Sequence, residues 1–547
     1  MSNTLILYGA ISAALIAFAV YRFTTHRSLK YIRGPPSSSF IFGNSVISSH
    51  QQEVGDLEFQ YVKEYGTVWR QAGCWGRDSL VVADPKAIQH ITYKAGYNYP
   101  KSLISRYISR QVAGDGILIA DSQDHPRHRK IMNPAFTAGQ LRTFMPLFRR
   151  LSTKFTQKWK DVLRSATTET EQVLNVHAWL ARLTLDIIGE AAFDYQCGAL
   201  DDEESEVMDA YKNMFADSLL YPTKPTILFR SIWKYIPEHL LRLINYIPTR
   251  EYSRFRRSLT TINWFAKQVI DEKTEACLAG KAENKKDIMS ILVKANASED
   301  SRTRLKESEM PAQMATFLLA GHETTSSTLT WLLWELAKNM DYQRKMRDEI
   351  TAVRARMTAR GDSDFSIVDL DSMTYVLAAM KETLRYHPIV YSLVREAARD
   401  DVIPLSMPIT SVDGEVISHI PVSKGQEVAF SIAVYNRLPE VWGADADKWN
   451  PDRFLEIDQS KQTTVGVWSN LMSFSAGVRG CIGWRFSILE MQTILVELLE
   501  NFKFSIPSYK PDIQRIPSGL MAPMVRDKMH LGTQMPLRVV VLHPEDE

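Results

Sequence analysis

A single cysteine, Cys481, stands in a short loop with Gly477, Gly480 and Gly483 around it, Arg479 two residues before it and Phe474 seven before it. A long helical pattern, Trp484 to Leu499, begins directly after the loop. Few folds accommodate such a stretch. Glycines permit φ > 0 and let backbone pass close to a flat ligand. Backbone N–H groups near Cys481 are able to donate to its sulfur and tune its basicity. Arg479 is able to pair with a carboxylate. The loop therefore reads as one that brings a thiolate to a metal, against the plainer reading of a free cysteine packed in a core.

Haem offers both an iron that accepts an axial thiolate and two propionates that accept cations, and a thiolate ligand favours O–O cleavage. The stretch resembles, position for position, the haem-binding signature of the cytochrome P-450 family: aromatic, two residues, Gly, one, Arg, one, Cys, one, Gly. The resemblance implies haem b with Cys481 as its metal ligand. It also implies Arg479 on a propionate, Phe474 shielding the sulfur, and Gly477 and Gly483 as the glycines of the loop.

A second motif lies in residues 314–328, where an apolar helical pattern carries a sudden polar cluster, Gly321 to Thr328. Gly and Thr are poor choices inside a helix. Ser and Thr side chains that bond backbone carbonyls bend helices, so a bend is expected here. A wet helix face is the plain alternative, but Leu318, Leu319, Leu329, Trp331 and Leu332 flank the cluster. Ala320, Gly321, Glu323 and Thr324 match the oxygen-activation motif of the same family. That match implies Glu323 and Thr324 as the catalytic pair that supplies protons by a general-acid relay.

Glu382 and Arg385 stand at i, i+3 on one helix face, and Arg453 follows in Asn450-Pro451-Asp452-Arg453-Phe454. Charged helices contain such pairs by chance. Taken together the two segments resemble the family's Glu-x-x-Arg helix and Pro-x-Arg-Phe segment, which implies a buried structural network of Glu382, Arg385 and Arg453 behind the cysteine loop. One carboxylate shared by two guanidiniums satisfies its acceptors. Upstream, His125 stands where the family usually has Trp, and Arg129 matches the Arg four residues on. Arg395 matches a further propionate-binding cation. These three are expected at the cofactor, whereas Arg127 and Lys130 read as a solvated basic face.

The chain has 547 residues, 45% hydrophobic and 23% charged, an ordinary globular composition with length for a large core. A net charge of +2 argues against nucleic-acid binding. Four scattered cysteines make neither a zinc pattern nor a disulfide framework and suit a reducing compartment. Leu5 to Tyr21 is an apolar, uncharged run at the short limit for a membrane span, and Arg22, Arg27, Lys30 and Arg33 follow it. Positive flanks stay cytosolic, so the body is expected in the cytosol. A cleaved signal peptide is the alternative, but its basic cluster would precede the run. Gly34-Pro35-Pro36 then forms a stiff turn. The expected parts are an anchor over 1–21, a basic and proline hinge over 22–36, and a catalytic domain over 37–547.

From about 139 to 360 helical periodicity dominates, including Gln140–Ser165, Asn175–Phe193, Glu203–Leu220, Glu251–Leu278 and Glu307–Asn339. Strand patterns occur near 67–70, 79–82, 402–403, 416–420, 427–432 and 537–542. The fold class is mainly α with a minor β region around haem, plus the N-terminal transmembrane helix, which agrees with the family fold. By family position, substrate-facing segments are Leu103–Ile119, Phe215–Leu228, Phe317–Leu319, Ile389–Leu393 and Gly519–Met521, with Tyr107, Tyr221 and Tyr391 as polar contacts. The run Thr226 to Phe229, with Trp233, is expected to dip into the bilayer.

The resemblance implies a monooxygenase of the endoplasmic reticulum membrane that oxidises a lipophilic small molecule with O2. Its electrons come from an NADPH-cytochrome P-450 reductase, because the chain has no flavin-binding region. The length and the wording of Pro451–Phe454 and Asp400–Leu405 look similar to fungal members that make terpenoid-like secondary metabolites. Alternatives are a fatty-acid, sterol or xenobiotic hydroxylase, or a haem protein that works without a reductase, as an isomerase, a dehydratase or a non-catalytic carrier.

Overall fold

The protein is described here as a computed structural model covering residues 29–165, 172–201, 206–279, 287–296, 304–458 and 462–542. The expected anchor, residues 1–21, lies outside the described residues. Among the described residues no helix is long and apolar enough to cross a membrane.

The helices that position the site are α1 (Glu58–Tyr65), α2 (Leu103–Ala113), α3 (Asp124–Met132), α4 (Ala138–Ser165), α5 (Val176–Phe193), α6 (Glu206–Tyr211), α7 (Arg250–Leu278), α8 (Glu309–Lys338), α9 (Thr374–Tyr386) and α10 (Trp484–Asn501). α4 buries Leu141, Phe144, Phe148, Leu151, Phe155 and Trp159, an i, i+3, i+4 stripe that faces α10 and α5. α8 and α10 are buried on nearly every side, as central helices of a large core are. α8 packs against α5, α7, α9 and α10.

Among the described residues eleven strands form four small sheets. One has the order β1 (Val68–Ala72), β2 (Asp78–Val82), β7 (Glu427–Ser431), β4 (Ser392–Glu396), with β2 and β7 parallel at Leu80↔Val428. The others pair β5 (Asp401–Thr410) with β6 (Val416–Val422), β9 (Ile513–Ser518) with β10 (Leu520–Val525), and β3 (Val173–Asn175) with β11 (Pro536–Val541) and β8 (Phe502–Ser505). The turn at Gly34 is held against β1: a Cβ there would lie 2.0 Å from the Arg70 carbonyl oxygen.

One expectation changes. The helix over Glu203–Leu220 is interrupted at Asn213, which takes a left-handed conformation (φ 53°) and accepts the Thr533 N–H through its side-chain oxygen at 3.2 Å. A contact distant in sequence overrides the local helical pattern there. The polar cluster does not interrupt α8, which is a single helix from Glu309 to Lys338. Thr324, Thr328 and Thr330 donate to the carbonyls of Ala320, Thr324 and Ser326 at 2.7–2.8 Å, the carbonyl bonds expected of such side chains. Gly321 is explained by packing: a Cβ there would lie 2.6 Å from the Ile188 side chain, so α5 and α8 approach closely at this point.

Candidate functional site

The cysteine loop is fixed by its own backbone. The Cys481 N–H donates to the Phe474 carbonyl (2.8 Å) and the Gly480 N–H to the Gly477 carbonyl (3.0 Å). Gly477 has φ +63°, and a Cβ there would lie 1.9 Å from the Thr92 carbonyl oxygen, so only glycine fits. Gly483 differs, since the nearest atom to a Cβ there is a Phe136 ring carbon at 3.8 Å. Phe474 is buried and meets Trp468 edge-to-face, with centroids 6.2 Å apart.

Cys481 is open to a water-sized probe, although burial among protein atoms pushes its thiol up. Both hold when the open surface is internal. The backbone N–H groups of Gly483 and Trp484, and the charge of Arg129, pull the thiol down against that burial. These donors at the start of α10 are the ones expected to tune a thiolate.

On the other side of the core, Ala320 is exposed in the middle of a buried stretch of α8. One turn on, Thr324 bonds the Ala320 carbonyl, and Thr325 meets Ser487 of α10 at 3.1 Å (Oγ1 to Oγ). The oxygen-motif helix is thus joined to the helix that starts behind Cys481. Glu323 is pushed up to about 7 by burial. A carboxyl held there is an acid near neutral pH, the state that general-acid work requires.

Cations gather at a third edge. The Arg479 side chain is only 5% exposed, pairs with Asp121 and lies over the Tyr97 ring (5.1 Å). Its Nε is buried without a partner among the described residues. Arg129 donates to the Gly480 carbonyl (2.9 Å) and so lies along the cysteine loop. Arg395 is buried and donates to the Val394 carbonyl, and burial and then Arg479 pull its guanidinium down to about 10. Lys101 donates to the carbonyls of Ile117 and Leu118, and burial, Arg395 and Arg479 pull it down to about 7. His125 meets the Tyr97 hydroxyl at 2.9 Å and is held neutral, near 3, by burial and by Arg479.

Four cations around one carboxylate leave a buried excess of positive charge, which is costly unless paired. Two propionates are the kind of charge that would balance it. The donor set, the unpartnered Arg479 Nε and the internal surface at Cys481 all fit haem. Sequence reasoning named Arg479, Arg395, Arg129 and His125 but missed Lys101, Asp121 and Tyr97, which no short motif marks. Arg127 is a correction: it is no solvated residue but pairs with the buried Glu309 at the start of α8 (2.7 Å).

Glu382 and Arg385 are wholly buried and form two bonds of 2.7 Å each. Arg453 lies 3.5 Å from Glu382 and pairs with Asp445 at 2.6 Å. Arg385 also donates to the carbonyls of Asn436, Ala446 and Lys448. Asn436 in turn bonds Ser473, whose hydroxyl donates to the Leu384 carbonyl, so the network braces the segment that leads into the cysteine loop.

Two of the tyrosines expected to face substrate have ring partners. Tyr107 is buried against Trp233, and Tyr221 stacks on His50. Ile227 and Trp233 are buried, so they do not reach a bilayer; Ile232, Tyr235 and Tyr246 are the exposed apolar residues nearby.

Comparison with known proteins agrees with this geometry. The sequence model of the cytochrome P-450 family matches residues 33–530. The chain is 35% identical over 497 residues to cytochrome P-450 monooxygenase 91 of Postia placenta, covering 88% of this chain and 89% of the relative. It is 32% identical over 527 residues to monooxygenase 205 of the same fungus (94% and 93% covered) and 32% identical over 518 residues to a ganoderic acid synthetase of Ganoderma lucidum (92% and 93% covered). With its cysteine loop, charge network and buried cation cluster, the chain belongs to the cytochrome P-450 family of oxidoreductases.

Proposed function

We propose that the chain is a haem-thiolate monooxygenase that oxidises a lipophilic small molecule in fungal secondary metabolism, with electrons from an NADPH-dependent reductase. The observation that carries this reading is the pairing of an internally open thiol at Cys481 with an intact Glu323–Thr324 pair on the facing helix. Bound haem supplies the oxygen activation and C–H oxidation chemistry. The chain supplies the rest. Cys481 holds the metal, with the N–H groups of Gly483 and Trp484 at its sulfur. Arg479, Arg129, Arg395, Lys101 and neutral His125 hold the propionates. Phe474 keeps water from the sulfur. Glu323 holds a proton at its carboxyl oxygen, and the Thr324 hydroxyl lies at the Ala320 carbonyl one turn back.

The relatives include a ganoderic acid synthetase. Its name supports a terpenoid-like substrate class for this chain too. The apolar surface supports a membrane location with residues 1–21 as anchor. Phe40 is 97% and Tyr246 72% exposed, and Ile41, Trp75, Ile232 and Tyr235 are open as well. Trp75 donates its ring N–H to Ser231 (3.0 Å) and its backbone N–H to Ile41, which ties much of this surface into one face. An apolar face of this kind suits a bilayer surface.

The test is turnover of a panel of terpenoids, fatty acids and sterols by membranes holding the chain and a fungal reductase. The expected result is a hydroxylated terpenoid whose formation needs NADPH, the reductase and O2. Conversion without the reductase would instead favour the isomerase or dehydratase reading.

A further inference from the structure

His322 lies between Gly321 and Glu323 and has no part in the roles assigned so far. It is 4% exposed, and its Nδ1 is 2.6 Å from the Leu318 carbonyl one turn back. A carbonyl only accepts, so Nδ1 carries the proton. In a neutral ring that leaves Nε2 as a lone pair, and Nε2 lies 3.5 Å from Glu323 Oε2. The ring is held neutral, pulled down to about 4 by burial.

The surroundings fix the ring and add no charge. Tyr211 of α6 packs on it at 5.1 Å and donates its hydroxyl to the Ala315 carbonyl. Thr184 of α5 donates to the His322 carbonyl (3.1 Å). The other titratable groups near it are His177 on α5, also held neutral, and Cys197, whose thiol burial keeps protonated. Among the described residues no lysine, arginine or aspartate shifts the ring. Beyond Glu323 is a cavity of about 10 Å³, lined in part by Asn213, Ser327, Ser518 and Thr533. A space of that size, with those polar groups set among apolar walls, suits about one water.

We propose that His322 is a positioning residue for Glu323: its tautomer, fixed by the bond from Nδ1–H to the Leu318 carbonyl, turns the Nε2 lone pair toward the carboxyl and keeps that carboxyl in its proton-bearing form. The neutral acid has one acceptor fixed in place, while an ionised Glu323 would face a lone pair that repels it. The small cavity gives the carboxyl room for one water with which to exchange its proton. This inference rests on the proton-delivery role proposed for Glu323 above.

The test reads the Glu323 carboxyl directly by infrared difference spectroscopy of the haem-loaded full chain. Glu323→Gln identifies its protonated C=O band. His322→Phe keeps a ring beside Tyr211 but removes the acceptor, so the titration midpoint of that band is expected to fall by about one pH unit, a tenfold weaker proton affinity. His322→Gln restores an acceptor and is expected to return the midpoint most of the way. A midpoint unmoved by His322→Phe overturns the proposal. If the Phe variant does not fold, ¹⁵N chemical shifts of the wild-type ring decide, with the His322→Gln spectrum as the assignment control. Protonated Nδ1 with bare Nε2 is expected, and an imidazolium or the opposite tautomer overturns the proposal. The reading beneath it fails separately: if Glu323→Gln leaves the ratio of product to NADPH unchanged, Glu323 does not deliver protons, whatever the His322 tautomer.

Discussion

Gly477 and Gly483 flank the same cysteine and answer different demands. At Gly477 both the positive φ and the Thr92 carbonyl exclude a side chain, so Gly477→Ala is expected to cost about 3 kcal/mol and to abolish haem loading. Gly483→Ala meets only ordinary contact with Phe136 and is expected to load haem normally. Haem content of the two purified variants checks this. Glu323 gives a prediction in pH. Its folded pKa is raised from 4.5 to about 7, so its stabilising contribution is complete below pH 4.5 and is lost as pH rises through 7. Glu323→Gln removes that loss. The variant is expected to gain on the order of 3 kcal/mol relative to the parent between pH 5 and pH 8, read from denaturant midpoints at the two pH values. Residues that belong to a motif, such as Cys481, Glu323 and Arg479, were legible in the sequence. Lys101 and Asp121 were not, because they reach the site through a tertiary fold and carry no local pattern.

At the scale of elements, the charge network makes the sharpest claim. Arg385 leaves Glu382 with one distant cation if it is removed, and a stranded buried carboxylate costs about 3–5 kcal/mol. Arg385→Ala is therefore expected to accumulate poorly and lose haem, while Arg127→Ala, at the partly open α3–α8 pair, is expected to fold with a smaller loss of melting temperature. The long helices were legible because α4 and α7 carry an apolar period over many turns, and α5 and α8 are long, mostly apolar runs. The break at Asn213 was not, because the bond that stabilises it comes from Thr533. In α8 the structure adds a packing reason that the sequence did not show: Gly321 serves close approach to Ile188, while Thr328 and Thr330 bond carbonyls one turn back as their residue type suggests.

Over the whole molecule, a net charge of +2 conceals an uneven distribution, with cations concentrated inside at one edge of the site, while Trp75 links the exposed Ile41 to the segment carrying Ile232 and Tyr235 on an outer face. The outer face predicts that a chain lacking residues 1–28 still sediments with phospholipid vesicles, and that Phe40→Ser with Tyr246→Ser releases much of it. The family and the haem-thiolate class were legible from four short motifs, because that chemistry needs fixed residue types at fixed spacings. The substrate was not legible, because pocket shape decides it and shape belongs to the assembled fold. The account depends most on Cys481 as the metal ligand. The direct measurement is a carbon monoxide difference spectrum of the reduced, haem-loaded protein in membranes. A Soret band at the long-wavelength thiolate position, lost in Cys481→Ser, is the predicted result. A band at the shorter wavelength of neutral-ligand haem in the folded parent protein would contradict it.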